Sequence, residues 1–183
     1  MALKPNRALT KAIQSRVARI AVAPSSVRGR TAGATQTARN FFSALSLQQL
    51  AASDSQQFAA ELDRLTDRLA AKLPSAAWQW GLARKLLNIF LRDCAYNAYL
   101  RSKFGLGRVE RHLELPLDSI TARRLRFAVG HNQLGPWPGL IGLTKELNAD
   151  YQRAATKIAR SRRMRRVHLD VFWWATNRDK NSG

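Results

Sequence analysis

Trp80-Gly81-Leu82-Ala83-Arg84-Lys85-Leu86-Leu87-Asn88-Ile89-Phe90 opens the longest apolar periodic run of the chain. Between Trp78 and Leu100, the residues Leu82, Leu86, Ile89, Phe90 and Cys94 recur at the intervals that place side chains on one helix face. Gly81 reads as a tight turn that feeds this helix and sets Lys85 at its start. Gly105 and Gly107 end the run.

The same period recurs on both sides. Leu9, Ile13, Val17 and Ile20 mark a helix over 7–22, and Ala38, Phe41, Phe42 and Leu45 another over 34–50. Ser53 with Gln56 reads as a capping box for a helix carrying Phe58, Leu62, Leu65 and Leu69, with Pro74 after its end. Glu61, Asp63 and Asp67 against Arg64 and Arg68 read as a solvated face of that helix. Asp118 starts a helix with Ile120, Leu125, Phe127 and Val129, and Thr144 caps one with Leu147, Tyr151, Ala155 and Ile158. Strand-like alternation is confined to Val167–Phe172. The expected fold is all-α, with six or seven helices. The expected organisation is a single domain: a basic N-terminal helix and loop (1–33), a helical lobe (34–73), a core (74–130) and Arg/Trp-rich C-terminal helices (131–183).

The 183 residues suffice for one sizeable core, and 45% are hydrophobic, so this is not a disordered basic tail. Lys and Arg number 31 against 12 Asp and Glu, a formal net charge of +19. Such an excess repels itself in a compact fold and calls for a polyanionic partner, nucleic acid above all. Arginine dominates, which favours bidentate phosphate and base contacts. Arg28 and Arg30 lie in a polar loop suited to phosphate. Five arginines stand between Arg160 and Arg166, including Arg162 and Arg163. The single cysteine, Cys94, excludes an intrachain disulfide and any four-cysteine zinc or iron–sulfur site, and fits a reducing cytoplasm. No run approaches the roughly 18 apolar residues of a membrane helix. Met1–Val22 is basic and amphipathic, yet no cleavage-like signature follows, so it reads as part of the domain rather than a presequence.

Lys85 and Asp118 carry the sharpest chemical reading. Breaking a sugar–base bond builds positive charge on the sugar, which a carboxylate stabilises. An amine can attack C1′ and form a Schiff base. Arg84 beside Lys85, and a helix start, favour the neutral amine. Asp118 sits where a helix N-terminus favours an anion.

Gly81-Leu82-Ala83-Arg84-Lys85 resembles the hairpin of the helix-hairpin-helix DNA glycosylases, whose pattern is Leu-Pro-Gly-Val-Gly-x-Lys with a nucleophilic lysine. Leu117-Asp118-Ser119, followed by Arg123, Arg124 and Leu125, is similar to that family's Val-Asp-Thr segment with its catalytic aspartate. The stretch between, with Asn88, Phe90, Tyr96 and Tyr99, most resembles the archaeal 8-oxoguanine glycosylase branch. The resemblance covers about residues 74–130. Trp80 replaces the hairpin proline and Ala83 its second glycine. The resemblance implies two helical lobes flanking a basic cleft. It also implies Lys85 as Schiff-base nucleophile and Asp118 as catalytic carboxylate. DNA contacts would come from Gly81, Ala83 and Arg84. Arg123, Arg124, Arg160, Arg162 and Arg163 join them as basic groups that could line the groove. The expected partner is double-stranded DNA carrying a modified base, bound by a monomer without metal or other cofactor, in the cytoplasm at the nucleoid. Tyr96, Tyr99, Trp137 and Trp174 are base-stacking candidates.

Two other readings compete. A helical DNA- or RNA-binding module would use the Arg160–Arg166 cluster without chemistry. A metal-dependent nuclease would gather Glu110, Glu114 and Asp118, whose four-residue spacing suits one helix face, although Pro116 interrupts that helix. Cys94 with His112 or His131 is a weaker thiol alternative.

Overall fold

The computed structural model describes residues 6–23, 33–51, 54–74 and 79–178. Arg28, Arg30 and Ser53 lie outside the described residues. The described residues are all-helical: α1 (Arg7–Ala21), α2 (Ala34–Ser43), α3 (Leu47–Ala51), α4 (Ser55–Ala70), α5 (Gln79–Tyr96), α6 (Ala98–Phe104), α7 (Ser119–Val129), α8 (Lys145–Ser161) and α9 (Leu169–Arg178). That is more than the six or seven expected. The periodic runs 34–50 and 78–100 each break in two. Asn97 interrupts the second run, accepting from the Leu100 amide at 3.0 Å and so starting α6. The capping box of α4 is Asp54 with Gln57, one residue beyond the expected pair. Val167–Phe172 is a short 3₁₀ turn (Arg166–His168) leading into α9, not a strand.

The apolar faces assemble two hydrophobic clusters. The first joins α1 to α6 around Phe42, Phe58, Leu62, Leu86 and Phe90, with Phe42 and Phe90 stacked at 4.6 Å. The second joins α7, α8 and α9 around Leu117, Leu125, Tyr151, Leu169 and Trp173.

A buried polar seam connects these groups. Arg84 donates through Nε and Nη2 to the two Glu114 oxygens, each at 2.9 Å, and through Nη1 to Asp63 (2.9 Å) and Thr66 (3.0 Å). Asn88 from α5 and Asn148 from α8 also donate to Glu114, at 3.1 and 3.2 Å. Gln152 brackets the Leu115 backbone, accepting from its amide at 3.0 Å and donating to its carbonyl at 2.8 Å. Asp63 therefore belongs to the seam, also pairing with Lys145, and not to a solvated face.

Gly81 is not a turn. It lies in the first turn of α5, buried, without the positive φ seen at Gly33, Gly105, Gly130 and Gly139. A Cβ there would stand 2.2 Å from the Leu140 carbonyl oxygen. The glycine thus lets the helix meet the 135–143 loop backbone. Residues 81–85 are continuous helix, so the expected hairpin is absent at this place.

Candidate active site

Lys85 and Asp118 come together although 33 residues separate them along the chain. Lys85 projects from the interior of α5, not from its start. Asp118 is the N-cap of α7. Its Oδ1 accepts from the amides of Ile120 and Thr121, both at 2.9 Å, while its own amide donates to Thr121 Oγ1 at 2.9 Å. That capping box engages one carboxylate oxygen and leaves the other, Oδ2, 3.6 Å from Lys85 Nζ. The contact is an ion pair too long for a strong hydrogen bond. The Lys85 side chain is 14% exposed and that of Asp118 32%.

Asp170, at the first turn of α9, is the third member. It pairs with Arg92, which is also held by Asp93 with Nε–Oδ1 at 2.9 Å. Burial pushes the Asp170 carboxyl above its ordinary range against the pull of Arg92; the charge of Asp118 adds to the push and that of Lys85 opposes it. Burial likewise raises Asp93 despite Arg92. Lys85 with Asp118, and Arg92 with Asp93 and Asp170, thus form two ion-paired groups that influence each other through charge. Sequence reasoning missed Asp170 and Arg92. The available signal was a lone acid inside an apolar segment, which needs a cationic partner.

A second polar chain lies beside the site. Tyr96 Oη and His168 Nδ1 are 2.8 Å apart, and His168 Nε2 is 2.8 Å from Glu110 Oε1. The His168 ring stacks over Tyr96 with centroids 5.7 Å apart. Burial of Glu110 is outweighed by its bonds to Arg101 and His168, which hold its carboxyl below the ordinary range. Burial, aided by the charges of Asp170 and Glu110, raises the Tyr96 phenol.

Several expected roles are corrected. Gly81, Ala83 and Arg84 are buried, and the Arg84 guanidinium is held by Glu114, Asp63 and Thr66, so none of the three is presented at the surface where a phosphate could reach it. Tyr99 anchors α1 through its hydroxyl, 3.0 Å from Thr10 Oγ1. Trp137 packs edge-on to Tyr151 at 5.4 Å in the second cluster. Tyr96 has one ring face covered by His168, whereas Trp174 is 62% exposed and keeps a surface suited to stacking. Arg123 is exposed, and Arg124 lies over the Trp173 ring at 5.9 Å. Arg160, Arg162 and Arg163 are exposed, with Arg162 over Phe172 at 5.1 Å. Glu110, Glu114 and Asp118 do not converge: they face Arg101 with His168, Arg84, and Lys85 respectively. No group of three or more metal-ligating side chains occurs among the described residues. Burial pushes the Cys94 thiol far above its ordinary range, which opposes a thiolate there. No helix among the described residues is long and apolar enough to cross a membrane. Compared with protein-family models, with curated proteins and with solved structures, the chain matches none.

Proposed function

We propose that the protein excises a modified base from DNA, with Lys85 as the amine that attacks the sugar and Asp118 as the carboxylate that assists. The observation that carries this reading is the 3.6 Å approach of Lys85 Nζ to Asp118 Oδ2. The net charge of +19 supplies the affinity for a phosphate polymer.

In this mechanism Asp118 Oδ2 first accepts a proton from the Lys85 ammonium, which frees the amine. The amine attacks C1′ as the base departs with the bonding electron pair and takes up a proton. Ring opening to the sugar oxygen and loss of a second amine proton give the imine. The proton taken up by the departing base comes from Asp118, whose restored negative charge stabilises the positive charge that develops on the sugar. Elimination from the imine then breaks the strand at the 3′ phosphate.

Borohydride trapping tests this on duplexes carrying 8-oxoguanine or an abasic site, with wild type beside Lys85→Gln. A covalent band on the modified duplex that disappears in the variant supports the reading. Its absence on every substrate, with tight binding retained, moves the assignment to a helical nucleic-acid-binding protein without chemistry. That second reading is favoured by the burial of Gly81 and Ala83 in continuous helix, where a phosphate-binding hairpin was expected.

A further inference from the structure

A cleft of about 410 Å³ opens between α4, the segment 111–114 and the C-terminal end of α8. Its basic wall is Arg111, Arg160, Arg165 and Arg166, and its apolar lining includes Phe58 and Met164. Among the described residues lining the cleft the one carboxylate is Glu114, which is buried and held by two donors of Arg84, so Arg111, Arg160 and Arg165 keep the wall basic.

The wall is built rather than incidental. Arg166 donates to the Leu113 and His112 carbonyls, both at 2.9 Å, which fixes its guanidinium against the 111–114 segment. At the end of α8, Met164 N donates to Ala159 O and Arg163 N to Arg160 O, each at 3.0 Å. These two bonds form a Schellman turn, which folds the chain back so that Arg160, Arg165 and Arg166 line one cleft. The left-handed position of that turn, φ 55°, holds Arg163 in place of the usual glycine. Beside Phe58, at 5.9 Å between centroids, lies the His112 ring. Burial and the charges of Arg111 and Arg166 lower its pKa, so near neutral pH it offers an uncharged aromatic face.

We infer that this cleft binds one nucleotide of a nucleic-acid strand, its phosphate gripped by Arg160 and Arg165 and its base set against His112 and Met164, with the buried Phe58 backing the His112 ring. Guanidinium groups suit phosphate through paired donors. The volume lies in the range of small-ligand pockets. The inference rests on the nucleic-acid partner of the proposed function but not on base excision, and Lys85 and Asp118 do not line the cleft.

The test is fluorescence anisotropy with an undamaged labelled single-stranded oligonucleotide and its duplex, and calorimetry with deoxyadenosine monophosphate. The variants are Arg160→Gln/Arg165→Gln, Ala59→Trp, and a charge-matched control, Arg153→Gln/Lys157→Gln, on exposed parts of α8 outside the cleft. The arginine pair is expected to weaken oligonucleotide binding about 10-fold or more and to lower the log–log salt slope by about two. Ala59→Trp, which fills the cleft mouth without changing charge, is expected to weaken it about 5-fold or more. Monophosphate binding that competes with the oligonucleotide assigns free nucleotide as an additional source of the ligand. Oligonucleotide binding alone assigns the strand. The inference is overturned if the arginine pair loses no more affinity than the control, if Ala59→Trp binds as wild type does, or if wild type binds none of the probes. Trapping at Lys85 can succeed or fail independently of each result.

Discussion

Arg84 and Glu114 meet through two parallel bonds of 2.9 Å, Nε to Oε2 and Nη2 to Oε1, in a seam closed to solvent on both sides. Fully paired, the two charges are tolerated in the interior. Unpaired, either one is costly, because its desolvation is no longer offset. Arg84→Met leaves Glu114 with only the amides of Asn88 and Asn148 and strips Asp63 of one partner. The expected loss is about 3–5 kcal/mol in urea unfolding. A double variant, Arg84→Met/Glu114→Leu, is expected to recover most of it.

The same pair sets an acid dependence. Burial pushes the Glu114 carboxyl up, but the charge and hydrogen bonds of Arg84, with the charge of Arg166, hold it below its ordinary value of 4.5. A carboxylate depressed in the folded state contributes stability that is present above the unfolded value and disappears as pH falls through the folded one. Glu110 adds in the same direction. Asp93 and Asp170 oppose it, since their raised values make the folded state take up protons first. Stability is therefore expected to fall with acid below about pH 4.5, and Glu114→Gln to flatten that limb in pH-resolved thermal melts.

Asp118 performs two jobs with two oxygens, and they can be separated. Asn keeps a side-chain carbonyl that caps the α7 amides at Oδ1, so Asp118→Asn is expected to stay within about 1 kcal/mol of wild type. It removes the charge facing Lys85 and, on the proposed function, abolishes base excision. Asp118→Ala loses the cap as well and is expected to cost about 1 kcal/mol more. Thermal melts of both variants, read beside a base-release assay, check the separation. If Asp118→Asn releases base as fast as wild type, the carboxylate is a cap and nothing else.

How far the chain could be read depended on how local each cause was. Asp118 and Thr144 are legible as caps because capping is decided within a few residues. The all-α class is legible because the apolar period repeats in each long helix. Gly81 was misread because a glycine before a helix fits both a turn and a close approach, and the backbone it approaches, at Leu140, is 59 residues on. Glu114 drew attention as a carboxylate for metal, whereas its partners come from α5 and α8, which no local pattern links. The Arg160–Arg166 run announced charge, but its shared cleft depends on the turn after α8.

Gly81 separates packing from propensity. In an exposed helix interior, Gly→Ala stabilises by roughly 0.5–1 kcal/mol. Here the added methyl would lie 2.2 Å from the Leu140 carbonyl oxygen and 3.0 Å from Leu143 Cβ, so α5 or the 135–143 loop must move. Gly81→Ala is expected to destabilise by about 1–3 kcal/mol in chemical unfolding. A stabilising result would mean that the loop backbone does not sit against α5.

Arg163 is the converse case, a residue whose backbone would suit glycine better. Its φ of 55° places Cβ in the crowded left-handed region while the two Schellman bonds hold it there. Arg163→Gly relieves the crowding at the cost of a more flexible unfolded chain, and the net expectation is a gain of about 1 kcal/mol or slightly less. The Arg163 side chain is exposed, so its charge can meet a polyanion. The variant should therefore melt higher yet bind nucleic acid more weakly, with a salt slope shallower by about one if the Arg163 guanidinium neutralises a phosphate. Arg163→Lys retains both the charge and the strained backbone and should restore the slope without the gain in melting temperature. A higher melting temperature with unchanged binding and slope would leave the charge of Arg163 without a part in nucleic-acid contact.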